Sequence, residues 1–458
     1  MFIGRKLEQL KIKSFADKDK AMLVYGLRRV GKTTLIKETL SNIKLDFIYF
    51  ECTKASEEIN VSSLMKLINE KYNETFGEFS TFKQVFELIN KHFKDLCIVI
   101  DEYSYMKEYY LLSKKTDSNL KAIELDSEFQ YIIDNLLMDC KLILCGSSIS
   151  IMKGLLEYSS PLYGRFNTII NLEPFTYLEV QEMFKDLSYR NIIEIYSVFG
   201  GSPYVLSKYN PSKSLEENIL TLLLDKDGDI YRHVINNVLI ELDKDPDLNK
   251  ILNCIKNGDK KYGDIEQSIK QNSSGLLDKQ LKKLLELGII EKKYPIGYEN
   301  DKRKTHYSLK DNLIRFYYAY IYQEDNRISL LGAKRYYDVY IDNSLNEFIS
   351  RRFENVVKDY FSIMIKRGQY PNIIDIGTYF TSNGEYDCVF KKDDNTYCFY
   401  EVKYKIKPLS KGEMLKEIEQ IKSIKGINIS EIGFVCSSGF EEKLPEAIYL
   451  ELQDLFSI

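Results

Sequence analysis

Eight consecutive residues, Gly26-Leu27-Arg28-Arg29-Val30-Gly31-Lys32-Thr33, restrict what this chain can fold into more than any other segment. They fit G-x-x-x-x-G-K-[ST]. That pattern needs a buried strand before it and a helix after it, because backbone N–H groups at a helix N-terminus must wrap phosphate oxygens. Both neighbours are present: Ala21-Met22-Leu23-Val24-Tyr25 reads as a short apolar strand, and Thr34 to Leu40 reads as a helix. Gly26 and Gly31 permit backbone angles and a close approach that a Cβ would block. Lys32 is placed for the β- and γ-phosphates and the Thr33 hydroxyl for Mg²⁺, with Arg28, Arg29, Val30 and Thr34 completing the loop. The expected ligand is a nucleoside triphosphate, ATP with Mg²⁺, on an α/β fold with a parallel sheet.

Composition bounds what surrounds this loop. A chain of 458 residues predicts roughly three domains at ~150 residues each. No apolar stretch approaches the ~18 residues of a membrane span. The run from Phe316 to Tyr322 meets Gln323, Glu324 and Asp325 at once, and reads as a buried helix rather than a membrane contact. Residues Met1 to Lys6 have no apolar run of signal-peptide type behind them. The formal net charge of −4 excludes a globally basic coat, so any nucleic-acid contact must use local patches. Eight cysteines without a C-x-x-C pair point to free thiols in a reducing cytoplasm. His92, His233 and His306 are too far apart in sequence to suggest a zinc site.

Downstream, apolar runs alternate with helical periods, the pattern of a βαβ sheet. Phe47 to Phe50 is a second strand; Val61 to Tyr72 and Phe82 to Phe93 are amphipathic helices. Cys97-Ile98-Val99-Ile100-Asp101-Glu102 is a strand ending in two carboxylates, as a Walker B element requires. Asp101 would hold Mg²⁺ through water and Glu102 would orient or deprotonate the attacking water. The strand Lys141 to Gly146 runs into Ser147-Ser148, and Ser147 is a candidate γ-phosphate sensor or a plain helix cap. Arg165, in Pro161-Leu162-Tyr163-Gly164-Arg165, either stabilises transition-state charge, in cis or in trans, or forms a surface ion pair.

These segments, with Gly200-Gly201-Ser202-Pro203, occur in the order of the archaeal-type ATPase family, a branch of the AAA+/STAND P-loop ATPases, which the first 210 or so residues resemble. The resemblance implies a catalytic Glu102 of the additional-strand type and a helical lid after the core. It also assigns Arg28 and Arg29 to the family's phosphate loop. The expected domains are residues 1–210 for core and lid, 211–325 for a helical, winged-helix segment, and 340–458 for a third fold.

In the middle segment, Ile251 to Lys256, Tyr262 to Ser268 and Leu276 to Leu287 read as helices. Residues 288–293 and 304–309 alternate like a two-stranded wing. This resembles the winged helix-turn-helix that follows the ATPase in that family. Lys279, Lys282 and Lys283, with Lys302, Arg303 and Lys304, would meet DNA phosphates, or form only a solvated or protein-docking face.

The last segment orders as αβββαβ and resembles the PD-(D/E)xK nuclease core, with Asp387 on one strand and Glu401-Val402-Lys403 on the next. Glu401 and Lys403 share a strand face opposite Cys398, Tyr400 and Val402. If the hairpin centres on Asp394, Asp387 pairs with Glu401 and two carboxylates come close enough to want Mg²⁺ between them. A two-residue loop would instead split them across the sheet. The resemblance adds Glu354 as accessory acid, and Gln420 as a phosphate or water contact. Lys403, Lys405, Lys407, Lys411 and Lys416 favour a polyanion; the competing reading is a surface salt-bridge patch. Oligomeric state is not legible.

Overall fold

All five residues of the strand that precedes the phosphate loop, β1 (Ala21–Tyr25), are buried. The strands β2 (Asp46–Glu51), β3 (Leu96–Asp101), β4 (Lys141–Gly146) and β5 (Thr168–Asn171) join it in the order β2-β3-β4-β1-β5. Every neighbouring pair is parallel. The computed structural model describes residues 3–112, 118–234, 246–269, 275–298, 301, 303–381 and 384–457.

The sheet is covered on both sides, which is why its strands read as continuous apolar runs rather than alternating ones. Met22, Val24, Val99 and Ile143 pack with Leu35 and Ile36 of the Lys32–Asn42 helix and with Ile12 and Phe15 of Lys6–Lys18. Leu23, Ile98, Ile100 and Leu144 face the other way, onto Leu64, Phe86 and Phe129. Those three residues belong to the helices Glu57–Tyr72, Phe82–His92 and Ser118–Asn135. The strand β4 lies between the phosphate-loop strand β1 and the acidic strand β3, the additional-strand arrangement.

The chain divides into two compact units, Met1–Pro174 and Phe175–Ile458. The short helices Tyr177–Met183 and Tyr189–Phe199, in the segment expected to hold a lid, therefore group with the second unit rather than with the parallel sheet. Their apolar faces explain it. One hydrophobic core runs from Phe175 through Tyr177 and Ile193 to Phe353, Tyr400 and Leu455. Tyr177 donates its hydroxyl to Leu455 O at 2.6 Å, and Tyr189 stacks on Phe456 at 4.3 Å. The Arg190 guanidinium sits 4.7 Å above Tyr404 and donates to Lys405 O and to Ser438 Oγ. At the Gly-Gly corner, a Cβ on Gly201 would lie 1.9 Å from Phe175 O, so only glycine admits this crossing.

Further along, the helix Pro246–Ile255, the strand β6 (Lys260–Lys261), and the helices Tyr262–Ile269 and Leu276–Glu286 follow in order. The hairpin strands β7 (Ile290–Lys293) and β8 (His306–Leu309) complete an antiparallel sheet, β6-β8-β7. The 25-residue helix Asp342–Lys366 leads into a second five-stranded sheet. That sheet contains β9 (Ile373–Thr381), β10 (Gly384–Lys392), β11 (Thr396–Lys403), β12 (Asn428–Cys436) and β13 (Ile448–Glu451), in the order β13-β12-β11-β10-β9. The first three strands in sequence are antiparallel, whereas β12 runs parallel to β11 and β13 parallel to β12. The crossover between β11 and β12 carries the helix Lys411–Lys422, begun by a capping box of Ser410 and Glu413. The terminal strand β13 is four residues long and half-buried, too short to stand out as an apolar run.

Candidate nucleotide-binding site

Arg29 and Gly31 take left-handed backbone angles, φ 65° and 94°, turning successive N–H groups toward one side. A Cβ on Gly26 would come within 2.2 Å of Leu172 O, so the loop is held against the chain that follows β5. Val30 is buried, and its carbonyl accepts from the buried Arg5 guanidinium at 3.2 Å. Lys32 is 6% exposed and donates to Gly26 O at 2.9 Å and Leu27 O at 3.0 Å. An ammonium this buried, satisfied only by carbonyls of the loop it serves, is a cation awaiting stronger acceptors, and phosphate oxygens supply them. Thr34 is exposed on the first turn of the helix.

Asp101 and Thr33 meet across the β1–β3 gap: Thr33 Oγ1 donates to Asp101 Oδ2 at 3.1 Å. A hydroxyl and a carboxylate so placed are ligand types that Mg²⁺ takes, so the residues fit the expected ion. Tyr49 of β2 also donates its hydroxyl to Asp101 Oδ2. Burial first, then the nearby Cys145 and Asp101, pushes its pKa far up, so it remains a donor.

Glu102 stands at φ 52°, a left-handed angle uncommon for a residue with a side chain, and such angles concentrate at functional sites. Its Oε2 accepts from Ser147 N at 3.0 Å and Ser147 Oγ at 2.8 Å. Because β4 lies between the two Walker strands, its C-terminal end delivers Ser147 to Glu102. Arg28 reaches the same cluster, with Nε 3.5 Å from Ser147 Oγ and Nη2 donating to the Tyr105 hydroxyl at 3.1 Å. Burial and the Glu102 charge raise the Tyr105 pKa. Tyr49, Tyr105 and Arg5 were not singled out from the sequence. Each acts through a fold contact, and only the aromatic alternation of β2 hinted at Tyr49.

Arg165 belongs elsewhere. It precedes β5, whose Thr168 pairs with Met22 at the start of β1. It is bound to Asp134, at the end of the helix leading to β4, with Nη2–Oδ2 3.1 Å. The phosphate loop leaves the other end of β1, more than about 10 Å along the strand. Of the alternatives the sequence left open, Arg165 takes the surface ion pair within its own unit, at the end of the strands opposite the phosphate loop.

Residues 2–209 match a family described as an ATPase domain predominantly from Archaea. The chain carries an archaeal-type P-loop ATPase domain. Residues 317–418 match a second family, described as archaeal and bacterial proteins of unknown function. An uncharacterized protein of Methanocaldococcus jannaschii is 28% identical over 414 residues, covering 88% of each chain. Among solved structures, the Walker-type ATPase PABY2304 of Pyrococcus abyssi aligns over 69% of this chain and 96% of its own. Its TM-score is 0.53 at 19% identity, a likeness of fold.

At the far end of the chain, the β10–β11 register pairs Cys388 with Tyr400 and Phe390 with Cys398, so the hairpin centres on Asp394. The β10–β11 pairing ends at Cys388 and Tyr400, one residue short of Asp387 and Glu401. The side chain of Asp387 lies outside the described residues. Glu401 is 8% exposed and accepts from Lys403 Nζ at 2.5 Å, and Lys403 also pairs with Glu417 at 3.3 Å. Burial opposes the charge on Lys403, but Glu401 and then Glu417 outweigh it, and its pKa is raised. Glu354 is half-buried on the Asp342–Lys366 helix, which packs on the face of Tyr400 and Val402, opposite Glu401 and Lys403. Among the described residues no group of three His, Cys, Asp or Glu forms a metal cage. Gln420 is exposed on the helix that supplies Glu417. Of the neighbouring lysines, Lys405 pairs with Glu413 and Lys411 with Glu442, while Lys407 and Lys416 are exposed. With Lys403, three of the five lysines in that patch are paired with carboxylates.

The expected wing is likewise engaged. Ile296 is 3% exposed and donates its N–H to Thr378 O at 2.9 Å, and Gly297 N donates to Asp375 Oδ2 at 3.2 Å. His306 stacks on Phe380 at 5.2 Å. Residues 295–297 of the connection between β7 and β8 thus lie along the edge of β9. Lys304 sits over Tyr298, Arg303 is exposed, and Lys302 lies outside the described residues. Lys279 and Lys282 are exposed and Lys283 is half-buried on the Leu276–Glu286 helix. Among the described residues, no helix is long and apolar enough to cross a membrane.

Proposed function

We propose that the chain is an ATP-binding and ATP-hydrolysing switch whose second unit is a nuclease-like, nucleic-acid-binding effector. One observation carries the coupling. The ATPase family match runs through residue 209, yet the chain divides at Pro174/Phe175. The ATPase's own lid helices are therefore built into the core of the C-terminal unit. A nucleotide that moves the lid moves that unit with it.

In the mechanism, Lys32 leaves the carbonyls of Gly26 and Leu27 for phosphate oxygens, while Thr33 and Asp101 hold Mg²⁺. The ion, when bound, neutralises phosphate charge and orients the chain of phosphates. Glu102 accepts the proton of the attacking water once it is released from Ser147. Ser147 provides the release, because a γ-phosphate is a better acceptor for its N–H and O–H groups than the Glu102 carboxylate they now share, and Arg28, which contacts Ser147 Oγ and the Tyr105 hydroxyl, would turn to the same phosphate. The site rests with its base held and is freed by its substrate.

For the effector, the αβββαβ order and the placement of Glu401 and Lys403 on one face near the end of β11 support the nuclease-like reading. A second reading, a regulatory ATPase that binds DNA or a protein without cutting it, is favoured by the ion pairs that occupy Lys403 and by the docked wing.

Phosphate release and plasmid integrity measured together, with Mg²⁺ and with Mn²⁺, decide between them. Cleavage that disappears in Glu401→Gln and Lys403→Met, with ATP turnover retained, supports the first. An intact plasmid whose affinity for the chain changes between ATP and ADP supports the second. Absence of nucleotide binding by the wild-type chain would overturn both.

A further inference from the structure

The second unit contains a buried guanidinium with no partner. Arg352, on the Asp342–Lys366 helix, is 6% exposed. Its Nε is sealed from solvent without a hydrogen bond, and among the described residues the side chain makes no hydrogen bond or ion pair. The guanidinium lies 5.3 Å from the Phe348 ring. That interaction is weak beside the cost of desolvating a charge.

Arg352 lines a half-open cavity of about 330 Å³, together with Lys256, Tyr320, Ser344, Glu347 and Arg351. Arg351 is satisfied: it pairs with Glu347 at 2.6 Å and donates to Asn257 O. The Tyr320 and Ser344 hydroxyls lie 2.9 Å apart. Three cations and one carboxylate on the lining leave two positive charges uncompensated. The other charges that act on Arg352 are Arg315, which opposes it, and Glu354 and Asp259, which favour it. Burial first, and then Arg315, brings the Arg352 pKa down to about 9.

We infer that this cavity is a binding site for a small organic phosphate, clasped by Arg352 and Lys256 with the Tyr320 and Ser344 hydroxyls as further donors. A guanidinium presents paired N–H groups that match two phosphate oxygens. The cavity exceeds what a bare phosphate fills, and the rings of Tyr320 and Phe348 offer an apolar wall for the organic part. The inference does not depend on ATP turnover or on the Glu401 site.

Calorimetry and thermal melting of the full chain test it. The chain carries Lys32→Ala, so that the phosphate loop does not take up the probes, which are ribose 5-phosphate, inorganic phosphate and ribose. Ribose 5-phosphate is expected to bind one to one and raise the melting temperature, at least tenfold more tightly than inorganic phosphate, with no binding of ribose. Adding Arg352→Met should weaken binding at least a hundredfold and leave the ligand-free chain at least as stable, since an unpaired buried charge has been removed. Adding Lys256→Ala should weaken binding about tenfold. Undiminished binding in the Arg352→Met variant would overturn the proposal. So would an absence of binding by both phosphates, or a lower ligand-free melting temperature in that variant, which would make Arg352 a packing element.

Discussion

Replacing Glu102 by Gln separates chemistry from binding because of how the carboxylate is held. Both donors from Ser147, its N–H and its hydroxyl, converge on the single atom Oε2, and the backbone already stands in the left-handed region at φ 52°. A Gln side chain can present its carbonyl oxygen to the same two donors and adopt the same backbone angle. What it loses is charge assistance. Bonds to a charged group contribute about 1.5–3 kcal/mol against about 0.5–1.5 for neutral ones. For a half-exposed side chain the cost to folding is therefore about 1 kcal/mol. The cost to turnover is larger, because removing a general base lowers a rate by about 10²–10⁴, or roughly 3–5 kcal/mol of barrier. Single-turnover phosphate release at saturating Mg²⁺ and ATP measures the chemistry, and titration with a fluorescent ATP analogue measures affinity. Affinity should stay within a few-fold of wild type. Phosphate release within threefold of wild type would refute the assignment of Glu102 as base. Loss of analogue binding would show instead that its contacts with Ser147 support the site's shape.

Other perturbations report on the scaffold. Arg165→Ala should leave the nucleotide affinity of the dilute chain unchanged, since its partner Asp134 lies at the opposite end of the strands from the phosphate loop; a tenfold loss would place Arg165 at the phosphates after all. Gly201→Ala forces a methyl group onto Phe175 O and should destabilise the second unit by about 3 kcal/mol or more; a urea midpoint equal to wild type would show that the corner relaxes. Burial and then the adjoining Glu128 raise the Glu57 carboxyl from 4.5 to about 8. The stability contributed by its proton is therefore fully present below about 4.5 and is lost as pH rises through about 8. Glu57→Gln should be more stable than wild type at pH 9 and lose that advantage toward pH 5. An advantage that does not change with pH would break the link to that proton.

Much of the ATPase site was legible because its signals are local. The order strand, glycine loop, Lys32, Thr33 and helix is contiguous, and Asp101-Glu102 closes an apolar run. The centring of the β10–β11 hairpin on Asp394 was also legible as one of two alternatives, since hairpin length and the period of two determine it. Contacts between distant segments were not. Tyr49 is chosen by β2 lying beside β3, and Tyr105 by the approach of Arg28. Glu417 lies in range of Lys403 because a crossover helix covers that face of β11. The docking of Ile296 against β9 reads in sequence as an ordinary loop residue.

By itself, then, the amino-acid order determined that a phosphate-binding loop, an acidic strand end and an αβββαβ segment would form. Each follows from backbone chemistry within a few residues or from the side-chain period of a strand. Only the tertiary structure decided where the chain divides, that Arg165 pairs with Asp134, and that Arg352 is buried with no hydrogen bond or ion pair among the described residues. Those three depend on which surfaces lose water together, and that is settled when segments hundreds of residues apart pack into one core.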